Sequence, residues 1–495
     1  MYKRQVITTG SKAKAVQVVN YFKYKTIVLK HIGSAHDSKE LGELKLLAYE
    51  WIKNYVGELS LFPDENPNNL LLINHSSFLG IKYRLFYDTV YRLIDILGLA
   101  ELPSLLNDLV IIRIFEPASK LRSLDLLEQF FGVKHNRKTY YKIAPKCIEL
   151  KNDVEKKIIR FVESEYDFNY DLLFYDVTTL YFETFEEDEL RKNGFSKDNK
   201  SQQPQILVAL MVSKEGFPVS YEVFAGNTFE GHTIIPTITK FIEKNKVKTF
   251  TVVADAAMIS TENIEQLIQN KISYIVGARL GNVSSALLDQ IDRSIIREDR
   301  KSIRIKTDNG YLICSYSSIR YRKDKYEMEK QIEKAKLVVE KPSKGKKLKF
   351  TQLKDTKISL NEALIDKNRK LLGIKGYYTN LQENEANNEM IIDRYHELYR
   401  IEQAFRISKN DLQTRPIFHF KEEPIKLHML ICFIALVISK HIELKTGISI
   451  KKFIDESKKN VDGEIHNQVT DRILTINAKT TSKMNELILK LFLPH

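Results

Sequence analysis

At 495 residues the chain is longer than one compact core accommodates, so several domains are expected. Hydrophobic residues make up 43 %, which excludes a disordered chain, and 77 Lys plus Arg against 64 Asp plus Glu give a net charge of +13. That excess points to a polyanionic partner, nucleic acid before an anionic membrane surface, while Cys147, Cys314 and Cys432 form no CxxC pair and so disfavour a zinc site or a disulfide framework.

In chain order, "AVQVVNYF" (15–22) and "KTIVLKHIG" (25–33) read as a small hairpin, followed by a helix in "SKELGELKLLAYEWIKNYV" (38–56). The N-terminus has no apolar h-region, so no signal peptide is expected, and a cytoplasmic location suits the free cysteines. From Ser77 to about Asp167 the pattern turns helical. There "KHNRKTYYKIAPK" (134–146) interleaves bases and tyrosines, as a solvated helix face or a DNA-phosphate contact does.

The character changes at Tyr170. "YDLLFYDVTTLYFETF" is a β-rich run with Asp176 in its middle, and two more strands joined by a Lys-Glu-Gly turn come next. Helix and strand then alternate, with Asp255 at the end of the strand "TFTVVA" and "SYIVGARL" as the next strand. Between about Gly281 and Lys375 the rhythm is interrupted by a hairpin about Asp308-Asn309-Gly310, a charged helix and the basic loop "KPSKGKKLKF" (341–350). It resumes at "GIKGYYTNL" (373–381). The apolar run Met429–Ile438 is ten residues, short of the ~20 that span a bilayer, and reads as a buried core helix. No membrane role is expected.

Three acids stand out. A carboxylate inside a buried strand is costly unless it meets a cation or solvent, and the carboxyl ends of strands are where open α/β sheets place ligands. Asp176 and Asp255 both have that setting. Glu402 lies in "RYHELYRIEQAFRISKNDLQTRP" (394–416), read as one amphipathic helix, with Tyr395 seven residues before it and Lys409 seven after. Seven residues are almost two turns, so the three share one face spanning about 21 Å. Each acid alone is more often a cap or surface group. Together they suit hard divalent cations acting in phosphoryl transfer on an RNase H-like nuclease.

At these residues the chain resembles a DDE transposase of bacterial insertion sequences, in the insertion-sequence-four superfamily and its sixteen-thirty-four-like branch. "FYDVTTLYFE" (174–183) resembles the first-aspartate strand, "VVADAAM" (252–258) the second, and Tyr395, Glu402 and Lys409 fit the signature Y-x2-R-x3-E-x6-K. "AGNTFEGHT" (225–233), "VIIRIFEPASKLRSLDLLEQFFGV" (110–133), "YSSIRYRKDKYEMEKQIEKA" (316–335) and "RPIFHF" (415–420) are similar to the family as well. The signature's arginine falls on Leu398. Arg400 is ~200° away around a helix and does not replace it, whereas Arg406, one turn beyond Glu402, is the better placed phosphate ligand.

The resemblance implies an α/β chain with an RNase H-like core, a mixed sheet flanked by helices. It carries a mainly β insertion and an N-terminal, mostly helical DNA-binding region. The expected divisions are 1–60, a small β/α segment; 61–168, the DNA-binding region; 169–280, the first part of the core; 281–375, the insertion; 376–445, the second part with the glutamate helix; and 446–495, a C-terminal helical region. It further implies Asp176, Asp255 and Glu402 as catalytic metal ligands for two Mg2+, with Mn2+ as a substitute. Tyr395, Arg406 and Lys409 are the implied DNA contacts, double-stranded DNA (element ends and target) the partner, and a homodimer the state in the synapse. A nuclease that does not join ends, a silent or domesticated DNA-binding protein, and a basic structural protein that binds nucleic acid are the alternatives.

Overall fold

The structure, a computed structural model, describes residues 2–10, 13–56, 76–196, 200, 202–258, 260–308, 310–340, 348–354, 357–468 and 471–493. It falls into two compact units, residues 1–89, 127–133 and 453–495 in one and residues 90–126 and 134–452 in the other.

The chain opens with an antiparallel meander, β1 (Tyr2–Thr8), β2 (Lys14–Phe22) and β3 (Lys25–Ala35), on which α1 (Ser38–Val56) packs. The expected hairpin is thus a three-stranded sheet, sealed by Val16, Val18, Ile32, Leu44 and Leu47. Lys23 and Tyr24 take left-handed φ values of 44° and 65°, the two-residue turn whose twist matches the flanking strands.

The helical pattern read from Ser77 begins instead with a strand, β4 (Ser76–Lys82). Gly80 at φ 141° is incompatible with a helix there. Then come α2 (Arg84–Ile96), α3 (Ser104–Phe115), α4 (Lys120–Phe131), α5 (Arg137–Glu149) and α6 (Lys151–Tyr166). Positions 57–75, the end of the first expected division and the start of the second, lie outside the described residues.

The large unit is built on strands β5 (Leu172–Tyr181), β6 (Gln205–Ser213) and β7 (Pro218–Ala225), then α7 (Ile234–Asn245), β8 (Thr251–Ala254), α8 (Thr261–Gln269) and β9 (Ser273–Ala278). Gly216, at φ 80°, makes the Lys-Glu-Gly turn between β6 and β7. Next are α9 (Ser285–Ser294), β10 (Ser302–Thr307), β11 (Gly310–Tyr316), α10 (Ser318–Glu340), the hairpin β12 (Thr351–Lys354) and β13 (Lys357–Leu360), α11 (Glu362–Lys370) and β14 (Ile374–Thr379). Eight of these strands form one sheet in the order β10-β11-β14-β9-β8-β5-β6-β7. β5, β8 and β9 run parallel and the other pairings are antiparallel.

The insertion is therefore not a mainly β subdomain. Its hairpin β10–β11 extends the main sheet through β14, and α9, α10 and α11 hold most of its residues described as helix or strand. Strand pairing explains the difference, because β14 offers β11 a full antiparallel register from Tyr311↔Thr379 to Tyr316↔Ile374. Positions 341–347 of the basic loop lie outside the described residues.

Helices α12 (Asn388–His396) and α13 (Tyr399–Arg406) cross the sheet, α12 over β8, β9 and β14 and α13 over β5 and β6. α14 (Glu422–Thr446) is long and apolar enough to cross a membrane, but its apolar window is 94 % buried inside the fold. It packs on α3, α5 and β7. The last stretch is not simply helical: α15 (Ile450–Ser457) and α16 (Ser482–Phe492) flank a hairpin, β15 (Asp462–Asn467) and β16 (Arg472–Ile476). β15 pairs with β4, giving the order β16-β15-β4. β15 is polar and mostly half-buried, and β4 and β16 carry apolar residues in adjacent pairs, Phe78–Leu79 and Ile473–Leu474, so hydrophobic alternation does not announce them.

At the start of α14, His428 is buried and donates Nε2–H to the Thr414 carbonyl at 3.1 Å. Its neighbour His419 is 8 % exposed. Burial, reinforced by Lys120 and Arg113, holds the His419 imidazole down at about 4, and burial and Arg113 push His428 the same way. Both rings are neutral in the fold, whereas in the unfolded chain they take up protons below about pH 6.5. Stability is therefore lost as pH falls from 6.5 towards 4 and is untouched by these groups above 6.5. In urea unfolding across that window, His419→Asn should remove up to about 3 kcal/mol of the decline seen in the wild type.

Candidate active site

β5 and β8 pair in parallel, with Tyr175 opposite Ala254. Tyr175 is fully buried and its hydroxyl meets Thr233 Oγ1 at 2.7 Å, just before α7. Strand alternation then turns Asp176 to the opposite face, where α13 lies. Asp176 and Asp255 are each the residue that follows this last pair.

Local bonds fix each carboxylate. Asp176 Oδ1 accepts from the Val177 amide at 2.7 Å. Asp255 Oδ1 accepts from the Ala256 amide at 2.6 Å and from the Tyr395 hydroxyl at 3.2 Å, which leaves Oδ2 for a ligand. The 3₁₀ turn Ala256–Met258 after Asp255 packs on a second one, Glu230–His232, inside the "AGNTFEGHT" stretch. Buried Asn263 ties that turn down by donating to the Gly231 carbonyl at 2.6 Å.

The 394–416 stretch is not one helix. α12 ends at His396, and three backbone bonds of the i→i+3 kind tighten the join: Leu398 to Tyr395 at 3.1 Å, Arg400 to Glu397 at 3.0 Å and Ile401 to Leu398 at 3.2 Å. Past Arg406 the chain widens into a π-helical turn, Ile407–Asp411. The constant 100° per residue behind the single-face reading fails at both places. Tyr395 is consequently packed against the sheet, 7 % exposed, while Glu402 is exposed and Lys409 half-buried in the π turn. Arg406 is exposed, and its charge is felt by Asp411 and Glu443. Leu398 is buried, and Arg400 pairs with Glu397 at 3.3 Å beside Gly216 of the β6–β7 turn.

Three residues that sequence reasoning passed over complete the surroundings. The ammonium of Lys375 on β14 lies 4.6 Å from the Tyr395 ring and 5.5 Å from that of Tyr377. Burial, with the nearby Arg320, pushes it below the usual lysine range, while Asp255 and Glu402 pull it back up. Tyr377 meets Tyr395 edge-on at 4.9 Å. Burial and the charge of Asp255 push the Tyr395 phenol up, so it stays a donor at neutral pH. Gly277 on β9 makes room for it, since a Cβ there falls 2.5 Å from the Tyr395 hydroxyl. None of this is local in sequence, and only the lysine within a strand, "GIKGYY", is a signal.

The donor set around Asp255 is oxygen only, which fits a hard divalent ion. The charge of Glu402 is felt by both Tyr395 and Lys375. Among the described residues, however, no three His, Cys, Asp or Glu side chains are gathered closely enough to hold an ion together.

A mixed sheet bearing paired strand-end carboxylates under a crossing helix is the framework of a phosphoryl-transfer domain. The transposase DDE-domain family model matches residues 167–438, more than half of the chain, and the chain belongs to that family. The family's enzymes transfer polynucleotides with divalent metal ions. No curated protein matches the chain. Among solved structures it is similar to a piggyBac transposase synaptic complex with hairpin DNA, at 11 % identity and a TM-score of 0.35 over 83 % of this chain and 70 % of that one.

Gly277→Ala should cost about 1–3 kcal/mol, because the added methyl displaces the Tyr395 hydroxyl. In thermal unfolding, Gly277→Ala combined with Tyr395→Phe should be more stable than the sum of the two single changes predicts. Strict additivity would show that the two groups do not meet.

Proposed function

We propose that this chain is a DNA transposase of a bacterial insertion sequence, in the insertion-sequence-four superfamily and its sixteen-thirty-four-like branch. It binds the terminal inverted repeats of its element, cleaves there and joins the ends to target DNA, acting as a homodimer across two ends. The observation that supports this reading is the parallel register of β5 and β8, whose last pair, Tyr175 and Ala254, immediately precedes Asp176 and Asp255. An RNase H-like core is supported by the order β7-β6-β5-β8-β9, with β6 antiparallel to β5 and with β8 and β9 reached by helical crossovers. The helices between residues 84 and 166 would form the DNA-binding region, in line with the charge balance.

Asp176, Asp255 and Glu402 would hold two Mg2+. When bound, such ions lower the pKa of the attacking water or 3′-hydroxyl and stabilise the leaving oxygen. The carboxylates serve as ionised ligands. Tyr395 is proposed less as a base-stacking contact than as the group that fixes Asp255 Oδ1 and presents Oδ2. Glu402, exposed on α13, would complete that ligand set. Lys375 offsets the carboxylate charge beforehand. Lys409 and Arg406 would contact DNA phosphates on either side of the cleaved bond.

The test is an excision and integration assay on a plasmid carrying the coding sequence with its native flanks. Asp176→Ala, Asp255→Ala and Glu402→Ala should each reduce excision to background while duplex binding is kept. Excision retained in any one variant removes that residue from the site. Mn2+ should replace Mg2+ in cleavage, whereas Ca2+ should support binding without turnover; cutting in chelator would sink the metal scheme. Recovery of 3′ ends joined to target DNA separates a transposase from a nuclease that only cuts.

A further inference from the structure

A cavity of about 260 Å³ opens where the α3–α4 junction meets the segment Gln413–His419 and the first turns of α14. It unites two stretches that the catalytic reading leaves unused, "EPASK" and "RPIFHF". Arg113, Lys120 and Arg415 line it, and no carboxylate does. Arg113 is 9 % exposed and donates to the Ala118 carbonyl at 2.8 Å, yet it forms no ion pair among the described residues. Lys120 has aromatic company and no acid partner among the described residues, with its ammonium 4.7 Å from the Tyr141 ring and 5.4 Å from that of Tyr140. His419 Nδ1 is sealed from solvent and has no hydrogen-bond partner among the described residues. The N-terminus of α4, through Ser119, Lys120 and Leu121, forms another part of the wall.

A nearly buried guanidinium without a counter-charge is unfavourable unless an anion completes it. A guanidinium fork, an ammonium and free amides at a helix start are together the donor set for phosphate oxygens. The cavity is also tied to the catalytic strand. The Ile417 amide donates to the Tyr181 carbonyl at 3.0 Å, and Ile417 bridges to Phe182 just past the end of β5. Tyr181 lies five residues beyond Asp176 on that strand, roughly 17 Å along it. At 3.4 Å per step of a DNA strand, that is about five nucleotides.

We propose that this cavity is a phosphate site for the DNA backbone, about five nucleotides from the bond cleaved at Asp176 and Asp255. This rests on the reading that DNA lies across that pair, and it adds a contact that orients the duplex along β5. The test uses the intact protein and a short fluorescein-labelled duplex, with affinity measured by anisotropy over a salt series. Lys120→Gln and Arg113→Gln should each weaken binding and lower the slope of log K against log salt by about one. Lys120→Arg and Arg113→Lys should restore the slope. Ring 15N signals of His419 in histidine-labelled protein should move when the duplex is added. Unchanged slopes in both glutamine variants, or an unmoved His419, overturn the site while leaving the transposase reading in place. A wild type that binds no duplex removes both. If Arg113→Gln fails to fold, the half-exposed Lys120→Gln still decides the matter.

Discussion

The candidate site depends on one register. Parallel strands β5 and β8 set Tyr175 against Ala254, and Asp176 and Asp255 are the residues that follow that pair. A slip by one residue would send Asp176 to the face where Tyr175 now meets Thr233. The buried hydroxyl pair on the far side of the sheet therefore helps place the carboxylates on the near side. α7 and the crossing helices clamp the two faces, and the rest of the large unit extends the sheet to either side.

Around that pair the surroundings are built to tolerate negative charge before any ion arrives. The Ala256 amide and the Tyr395 phenol both serve Asp255 Oδ1, and the Lys375 ammonium stands over the tyrosine that holds it. The arrangement is tight because β9 contributes a glycine where any side chain would strike the phenol. Charge, ring packing and the missing Cβ are thus one device spread over β8, β9, β14 and α12.

Much of this was legible in the chain. An acid within a β-rich apolar run and another at the end of a short strand could be picked out as Asp176 and Asp255, because burial makes such carboxylates expensive. The buried character of α14 was readable from its apolar run, and the β–β–β–α–β–α–β order from alternating patterns. What periodicity could not carry was any change in the geometry it assumes. The tightened join at Glu397–Leu398 and the π turn at Ile407–Asp411 each rotate the residues beyond them, so Tyr395, Glu402 and Lys409 do not share one exposed stripe. The polar β15 and the strands β4 and β16, whose apolar residues fall in adjacent pairs, lacked alternation to read, and β10 and β11 join the sheet through a partner more than fifty residues further along the chain. Lys375 and Gly277 acquire their meaning only from neighbours distant in sequence.

The insertion's place in the sheet also orders events during synthesis. β5 and β8 can pair once residue 254 has left the ribosome, but β14 and α13 come only after α9, α10 and α11 have been made. At ~5–20 residues per second, the gap between Asp255 and Glu402 lasts on the order of ten seconds. Through that interval a nascent chain carries the two aspartates without the glutamate, and without the tyrosine that holds Asp255. A chain released early, anywhere in the long detour, would be a sheet with two of its three acids made.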